Sequence, residues 1–594
     1  MTAPCKYELR QVENLAKKKQ NLVEGSMVLL SAVVVVKIIG AAYKIPLASV
    51  IGEDGQGFYN CAYNLYNVIY AIAVTGFPVA VSKMVAQFNA EGRYRDIKKV
   101  VHLSTWFFAL IGVIGSAVLI LFAKPYVELS NNPKAFWCVV AIAPSILFCC
   151  LMSAHRGYSQ GMSNMIPTAV SQIVEVIFKA LGGFGGALLL KGYFSKEYAE
   201  AGTVFGKIMD TASEAEVTIL SLAAAGAIFG VTMSTVFGYL YLAVRSKKDD
   251  YGIDIVKFVK SPKAYSNRYI LKQIISIGLP IALGAATAYI TGLIDGMSIF
   301  NRLTYVINTD LGALYASHGG VLEQAGKELG DLANYLYGVY GYGMNLFNLV
   351  PALTGAFGMS ALPLVTNSWL IKDRIATRKH MESVIRLTML IAAPAGFGIA
   401  FLAGPISKLI YASRPIGSTL MIPMLAILGI AAIFVAITGP VNALLQAVGR
   451  VDIPVKLMFL GGAVKLAANY FLVAVPSLNI KAAPIGNLLC YIVISVLSLL
   501  ILCKYTGISL SFGKIIFKPM FAGLITGAFG LLSYNLITMV ISSTKIATVA
   551  AIGVAIIAYG IALGMLKILD REDVLGMPGG KKIAAALEKL HILG

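Results

Sequence analysis

Residues 101–123, VHLSTWFFALIGVIGSAVLILFA, form an apolar run that contains no Asp, Glu, Lys or Arg. A helix needs about 20 such residues to cross a hydrocarbon core about 30 Å thick. Thirteen further stretches are also mostly apolar, near residues 24–50, 58–84, 135–155, 165–190, 217–243, 273–299, 335–365, 387–410, 419–445, 455–475, 483–503, 514–541 and 546–567. The pattern predicts an all-α membrane protein with about fourteen transmembrane helices.

The composition agrees with this class. Hydrophobic residues occupy 58% of the 594 positions and charged residues only 13%, which is too apolar for a water-soluble surface. The segments between predicted spans are too short to form a soluble catalytic domain. We therefore expect a multi-pass membrane protein that is not an enzyme.

The net charge of +20 would favour nucleic-acid binding in a soluble protein. Here most lysines and arginines fall in alternate loops, as the positive-inside rule requires if both termini are cytoplasmic. The charge is thus a topology signal, and no nucleic-acid partner is expected. The seven cysteines show neither zinc spacing nor a disulfide framework, so we expect no metal and no bound cofactor.

Two internal matches predict a parallel repeat of two six-helix lobes, with chance similarity among apolar segments as the alternative. Asn64-Leu-Tyr-Asn67 matches Asn345-Leu-Phe-Asn348, and QGMSNMIP at 160–167 matches QAVGRVDIP at 446–454. The predicted units are a cytoplasmic N-terminal segment (1–23), a first lobe (24–243), a basic amphipathic linker (244–272), a second lobe (273–503), helices 13 and 14 (504–567) and a cytoplasmic tail (568–594).

Charged residues inside spans mark candidate functional positions, because a charge at mid-bilayer costs about 2.5–3.5 kcal/mol unless it finds a polar cavity or a partner. Most of them are cations, which predicts a central cavity for an anionic substrate; snorkelling to an interface is the alternative. Glu175 and Lys179 are spaced so that they can pair. The candidates are Lys37, Lys44, Glu175, Lys179, Asp295, Arg302 and Lys465.

Four asparagines are further candidates. Asn64, Asn67, Asn345 and Asn348 repeat in the two lobes, so we interpret them as hydrogen-bonding groups between helices, with cavity lining as the second interpretation. The linker at 252–260 is basic and amphipathic, which favours contact with anionic lipids of the inner leaflet.

Several motifs resemble one known family. They are KIIGAAYKIPL at 37–47, GQGFYN at 55–60, GFPVAVSK at 76–83, RGYSQG at 156–161 with Pro167, and the stretch from Asp295 to Arg302. Together they resemble the polysaccharide-exporter branch of the multidrug/oligosaccharidyl-lipid/polysaccharide (MOP) flippase superfamily, which includes stage V sporulation B proteins and MurJ-type lipid II flippases. The resemblance covers nearly the whole chain.

The resemblance implies a cationic cavity for a lipid-linked pyrophosphate sugar, a groove for its polyprenyl tail beside the last two helices, and roles for Lys37, Lys44, Asp295 and Arg302. Lysine stands at the first two positions where the family has arginine, and lysine grips a pyrophosphate less specifically than arginine does. We expect a monomeric flippase for undecaprenyl-linked lipid II, driven by H⁺, Na⁺ or the membrane potential. The alternatives are a cation-coupled multidrug or other polysaccharide exporter of the same superfamily and, from another class, a membrane glycan polymerase or ligase.

Overall fold

The computed structural model describes residues 22–72, 76–248 and 255–568, and these are almost entirely helical. The helices before the linker are α1 (Leu22–Ala71), α2 (Phe77–Ala90), α3 (Tyr94–Leu121), α4 (Ala123–Leu129), α5 (Phe136–Gly161), α6 (Ile166–Ala201) and α7 (Ala212–Lys248). The later ones are α8 (Ile255–Lys260), α9 (Asn267–Thr309), α10 (Leu311–Ser317), α11 (Leu329–Phe347), α12 (Leu349–Leu370), α13 (Arg374–Phe401), α14 (Ala403–Ile410), α15 (Pro415–Ala447), α16 (Asp452–Leu472), α17 (Ala483–Thr506), α18 (Lys518–Thr538) and α19 (Thr544–Leu566).

Strand structure within the described residues is limited to one small hairpin between α6 and α7. Strands β1 (Thr203–Val204) and β2 (Lys207–Ile208) pair antiparallel, with Thr203 opposite Ile208. The hairpin is too small to form a layer, so the molecule is a helical bundle.

Ten helices of the described part are long and apolar enough to cross a membrane, or eleven if the bent α9 counts as one span. Helix α9 is bent by 47° between Asn267–Gly284 and Tyr289–Thr309. The count of fourteen spans and the two-lobe arrangement stay predictions.

Helix α1 consists of two helices joined at Gly52. Fifty residues of straight helix would be about 75 Å long, more than twice the thickness of the hydrocarbon core. The chain turns at Gly52, whose φ of 65° and ψ of −171° are open essentially to glycine alone. Glu53 and Asp54 therefore lie at the start of the second part of α1. The sequence predicted a short loop between two spans at this position.

Two buried cores lie on either side of the middle of α9. Ile270 and Ile274 pack with residues of α1 to α7. Ile299, Phe300 and Leu303, further along the same helix, pack with residues of α11 and α15. Helix α9 therefore connects the packing of the two sequence halves.

The linker lies against the turn between α2 and α3. Arg95 donates to the carbonyl oxygens of Phe258 (3.3 Å) and Val259 (3.2 Å), and the backbone N–H of Tyr265 donates to the buried carboxylate of Asp96 (2.7 Å). Residues 249–254, which include the start of the predicted amphipathic segment, lie outside the described residues. Contact of the linker with lipid stays a prediction.

Candidate functional site

A buried ion pair joins α9 to α16. The Nζ atom of Lys465 lies 2.8 Å from Oδ2 of Asp295, and the two side chains are only 2% and 4% exposed. Lys465 also donates to the carbonyl oxygen of Thr291 at 3.2 Å. Removing two charges from water is repaid only when both are fully hydrogen-bonded, so the neighbours of this pair matter as much as the pair itself.

Three further side chains complete what we call the Asp295 cluster. Asn469 donates to Oδ1 of Asp295 (3.1 Å) and Tyr340 donates to Oδ2 (3.0 Å). Asn487 of α17 in turn donates to the hydroxyl of Tyr340. The cluster therefore consists of Asp295, Lys465, Asn469, Tyr340 and Asn487, drawn from four helices.

Local sequence explains part of this arrangement. Lys465 and Asn469 are four residues apart, so they lie on one face of α16. Gly486 of α17 leaves room for that face, because a Cβ there would lie 2.4 Å from Oδ1 of Asn469. Sequence reasoning missed Asn469, although its spacing from Lys465 was a usable signal.

Arg302 lies apart from this cluster. Its guanidinium is 4.1 Å from the ring centroid of Tyr470 and 5.4 Å from that of Tyr305. Such stacking is favourable for a cation held against aromatic faces. Arg302 and Asp295, which are seven residues apart on α9, thus have different partners.

Glu175 does not pair with Lys179, as its spacing had allowed. Its carboxylate bonds to Arg156 of α5, whose guanidinium also donates twice to Oγ of Ser171 (3.0 and 2.9 Å). Arg156 is 4% exposed, and a buried guanidinium requires a carboxylate partner. The sequence had assigned Arg156 to an inner loop, so this competing partner went unseen.

Lys179 instead faces α1. Its Nζ donates to the hydroxyl of Tyr63 at 2.9 Å. On the first part of α1, Nζ of Lys44 donates to Oδ1 of Asn345 on α11 at 3.0 Å. Lys37 belongs to α1, but its side chain lies outside the described part of the structure.

The repeated asparagines have different surroundings. Asn64 donates to the hydroxyl of Tyr337 at 2.9 Å, which joins α1 to α11. Oδ1 of Asn345 accepts a hydrogen bond from Lys44. Asn67 is half-buried, and Asn348 is exposed at the junction of α11 and α12. The pairing between halves therefore runs through Asn64 and Asn345.

A second ionic group lies on the predicted outer side and connects the two sequence halves. Lys327 lies 2.8 Å from Asp54, Lys134 lies 2.9 Å from Asp331, and Arg414 lies 3.7 Å from Glu53. We call these six residues the outer cluster. Sequence reasoning treated them as loop charges, because their partners are far apart along the chain.

Close packing supports the outer cluster. Asn132 donates to Asn334 (3.0 Å), which donates to the carbonyl oxygen of Asp54 (2.9 Å). A Cβ at Gly338 would lie 1.8 Å from the carbonyl oxygen of Glu53, so α1 and α11 touch backbone to backbone. We call this contact between the two sequence halves the seam. A polar pocket of about 200 Å³, which Glu216 also lines, lies beside it.

The loop lysine of this cluster is held charged. Burial alone would lower the pKa of Lys327, but the carboxylate of Asp54 beside it raises that pKa above its ordinary value.

Helix α11 takes part in both clusters and in the contacts of Asn64 and Lys44. Asp331 and Asn334 of α11 make contacts on the predicted outer side. Further along the helix, Tyr337 accepts a hydrogen bond from Asn64, Tyr340 donates one to Asp295, and Asn345 accepts one from Lys44. A movement of this one helix would alter each contact.

Within the described residues, no group of His, Cys, Asp and Glu is arranged to hold a metal ion.

Comparisons with known proteins agree with this architecture. The profile of the family described as "Polysaccharide biosynthesis protein" matches residues 22–369. Stage V sporulation protein B of Bacillus subtilis is 23% identical over 83% of this chain and 85% of its own length. Lipid II flippase MurJ of the same organism is 23% identical over 93% of this chain and 97% of its own.

Solved structures show the same fold. A lipid II flippase MurJ in an inward closed conformation aligns with a TM-score of 0.60 at 13% identity, covering 91% of this chain and 98% of that one. An inward-facing multidrug resistance MATE transporter of the MOP superfamily aligns with a TM-score of 0.57 at 15% identity, covering 81% and 98%.

The many apolar helices and the similarity to these relatives identify a multi-pass bacterial membrane protein, and its fold is that of a solved transporter of the MOP superfamily. The chain belongs to the polysaccharide biosynthesis protein family, as the sequence motifs predicted. Among these proteins, MurJ is named a lipid II flippase and the MATE protein a multidrug resistance transporter.

Proposed function

We propose that this protein is a flippase that carries an undecaprenyl-pyrophosphate-linked peptidoglycan precursor, lipid II, from the inner to the outer leaflet by alternating access. The similarity to a lipid II flippase over 93% of the chain supports the substrate class. The ionic contacts between sequence halves on the predicted outer side support the mechanism, since release to that side requires them to break.

The observation that carries the proposal is a set of cations held by neutral groups. Lys179 donates to a tyrosine hydroxyl, and Arg302 stacks on Tyr470. Within the described residues no carboxylate lies within 4 Å of Lys179 or Arg302. Such cations retain their attraction for a pyrophosphate.

Lys465 has a different part in the proposal. Its charge is compensated by Asp295, so it adds little attraction for an anion. The cations that we propose to contact the substrate are therefore Lys37, Lys44, Lys179 and Arg302. The Asp295 cluster is the coupling element. The proposed driving force stays H⁺, Na⁺ or the membrane potential.

A multidrug exporter is the second candidate, because the MATE transporter has nearly the same fold similarity as MurJ. A row of tyrosines on α1 whose neighbouring rings are in contact (Tyr59, Tyr63, Tyr66 and Tyr70) would suit an aromatic cargo. The glycan polymerase alternative is less well supported. Such an enzyme would need an active site in the outer loop at 301–333, where His318 lies 3.0 Å from Asn479. Burial, aided by Lys481, lowers the pKa of this histidine to about 4.

The proposal is tested by flipping of fluorescent lipid II in proteoliposomes. We expect Lys44→Ala combined with Lys179→Ala to reduce flipping at least about ten-fold, which corresponds to about 1.4 kcal/mol. Lys196→Ala is the matched control, because Lys196 lies on the same helix as Lys179 and its side chain is 76% exposed. Unchanged flipping in the double variant would reject the cationic site.

Depletion in cells separates the candidate substrates. We expect lipid II to accumulate on the inner leaflet after depletion. Accumulation of another lipid-linked glycan would reassign the substrate within the superfamily, and drug sensitivity without any such accumulation would favour the multidrug exporter.

A further inference from the structure

Helices α6 and α7 touch at one level and leave a groove beside it. A Cβ at Gly230 would lie 2.1 Å from the backbone nitrogen of Gly183, and one at Gly186 would lie 2.6 Å from the carbonyl oxygen of Gly226. The two helices are therefore in backbone contact along this stretch, as small residues allow in membranes. The glycine-rich segment at 182–186 therefore allows the close approach of α6 to α7.

The groove begins where larger side chains replace the glycines. The rings of Phe178 and Phe237 stack with centroids 3.9 Å apart and planes 13° apart, and they form its floor. From there an open groove of about 480 Å³ runs toward the predicted cytoplasmic end. Its lining residues are Val174, Phe178, Phe237, Leu240, Tyr241, Val244 and Arg245.

The length of the groove matches one leaflet. Phe237 and Arg245 are eight residues apart, so the groove extends about 12 Å along α7. Half of a hydrocarbon core is about 15 Å thick. Leu240 and Val244 along its wall are 48% and 53% exposed, which in a membrane-spanning helix means exposure to lipid tails.

The end of the groove carries the charge. Arg245 is the last residue of the lining, and the sequence continues as Ser246-Lys247-Lys248 at the end of α7. A guanidinium at the level of the headgroups binds a phosphate with two parallel hydrogen bonds, and the inner leaflet is the anionic one. The apolar trough and its cationic end therefore complement a phosphate joined to an acyl chain.

We propose that the α6–α7 groove is a binding site for an anionic phospholipid of the inner leaflet, with one acyl chain over Phe178 and Phe237 and the phosphate at Arg245. This site lies on the membrane-facing side of α6, whereas Lys179 on the next residue faces Tyr63 of α1. The bound lipid would brace α6 behind that lysine. The proposal does not depend on which substrate the protein carries.

Fluorescence quenching by brominated lipids tests the site. Leu240→Trp places a reporter in the groove, and Leu181→Trp places one on α6 outside it, at a position that is 68% exposed. Both are reconstituted in phosphatidylcholine containing a small fraction of brominated phosphatidylglycerol, and the signal of the three native tryptophans is subtracted using the parent protein. One arginine near an anionic surface predicts about a five-fold preference for the anionic lipid at the groove reporter.

The controls separate the outcomes. Arg245→Ala should abolish the preference and Arg245→Lys should retain most of it. Val244→Trp replaces Leu240→Trp if the latter does not fold. Equal quenching at the groove and control positions, or a preference that survives Arg245→Ala, would overturn the proposal. Displacement of the brominated lipid by undecaprenyl phosphate, but not by unbrominated phosphatidylglycerol, would also overturn it, because the groove would then belong to a prenyl chain.

Discussion

The Asp295 cluster and the outer cluster contain nearly identical contacts with different consequences. Lys465–Asp295 and Lys327–Asp54 are both 2.8 Å ion pairs in which the carboxylate is almost fully buried. The first joins α9 to α16 within the second sequence half. The second joins α1 to the loop before α11, and so crosses between halves. The same chemistry therefore stabilises one half in the first case and one arrangement of the two halves in the second.

The largest expected effect comes from breaking the pair within one half. Lys465→Ala leaves Asp295 buried without its cation, which costs about 3–5 kcal/mol. Thermal unfolding of the purified protein in detergent measures this loss. Adding Asp295→Asn should recover at least half of it, while flipping stays low because the coupling element is gone. Equal unfolding temperatures for the single and double variants would contradict the charge argument.

Fixing the seam between the halves should affect transport more than stability. Asn132→Cys with Asn334→Cys places two thiols where the native side chains hydrogen-bond at 3.0 Å across the seam. A short bis-methanethiosulfonate should reduce flipping by about a hundred-fold, equivalent to about 2.7 kcal/mol, because the outer side can no longer open. A reductant should restore it.

The matched control stays within one half. Glu197→Cys with Thr203→Cys replaces another 3.0 Å hydrogen bond on the predicted outer side, between α6 and β1. Cross-linking there should leave flipping unchanged, and the parent protein with the same reagent reports on native cysteines. Loss of flipping in both pairs would mean that the seam has no special role.

Helix α11 contributes residues to both clusters. Tyr340→Phe tests how much its contact with Asp295 contributes to stability. The lost hydroxyl donates to a carboxylate, so its removal should cost about 2 kcal/mol. Tyr342→Phe on the same helix removes a bond to the neutral carbonyl oxygen of Ala48 and should cost only about 1 kcal/mol. Both are measured by thermal unfolding, and equal losses would show that the Asp295 carboxylate does not anchor α11.

The sequence predicted the members of these clusters unequally. Asp295 and Lys465 stood out because charges are rare in apolar spans. Their pairing was not predictable, since 170 residues separate them. Glu53 and Asp54 fall between two predicted spans, and the turn at Gly52 and the approach of α11 bury them. The assignment of Glu175 to Arg156 likewise depends on how α5 packs against α6, which no spacing rule contains.

The smallest expected effect is at the rim of the outer cluster. Lys134 is 32% exposed in its pair with Asp331, and partly solvated ion pairs contribute less than about 1 kcal/mol. Lys134→Ala should therefore leave the unfolding temperature nearly unchanged. It should still raise the labelling rate of a single cysteine at Asn132, because each lost contact across the seam shifts the population toward the state that is open to the outside. If the labelling rate equals that of the parent, Lys134–Asp331 does not help to keep the outer side closed. That role would then belong to Lys327–Asp54 and Arg414–Glu53, the pairs whose carboxylates are buried at the turn after Gly52.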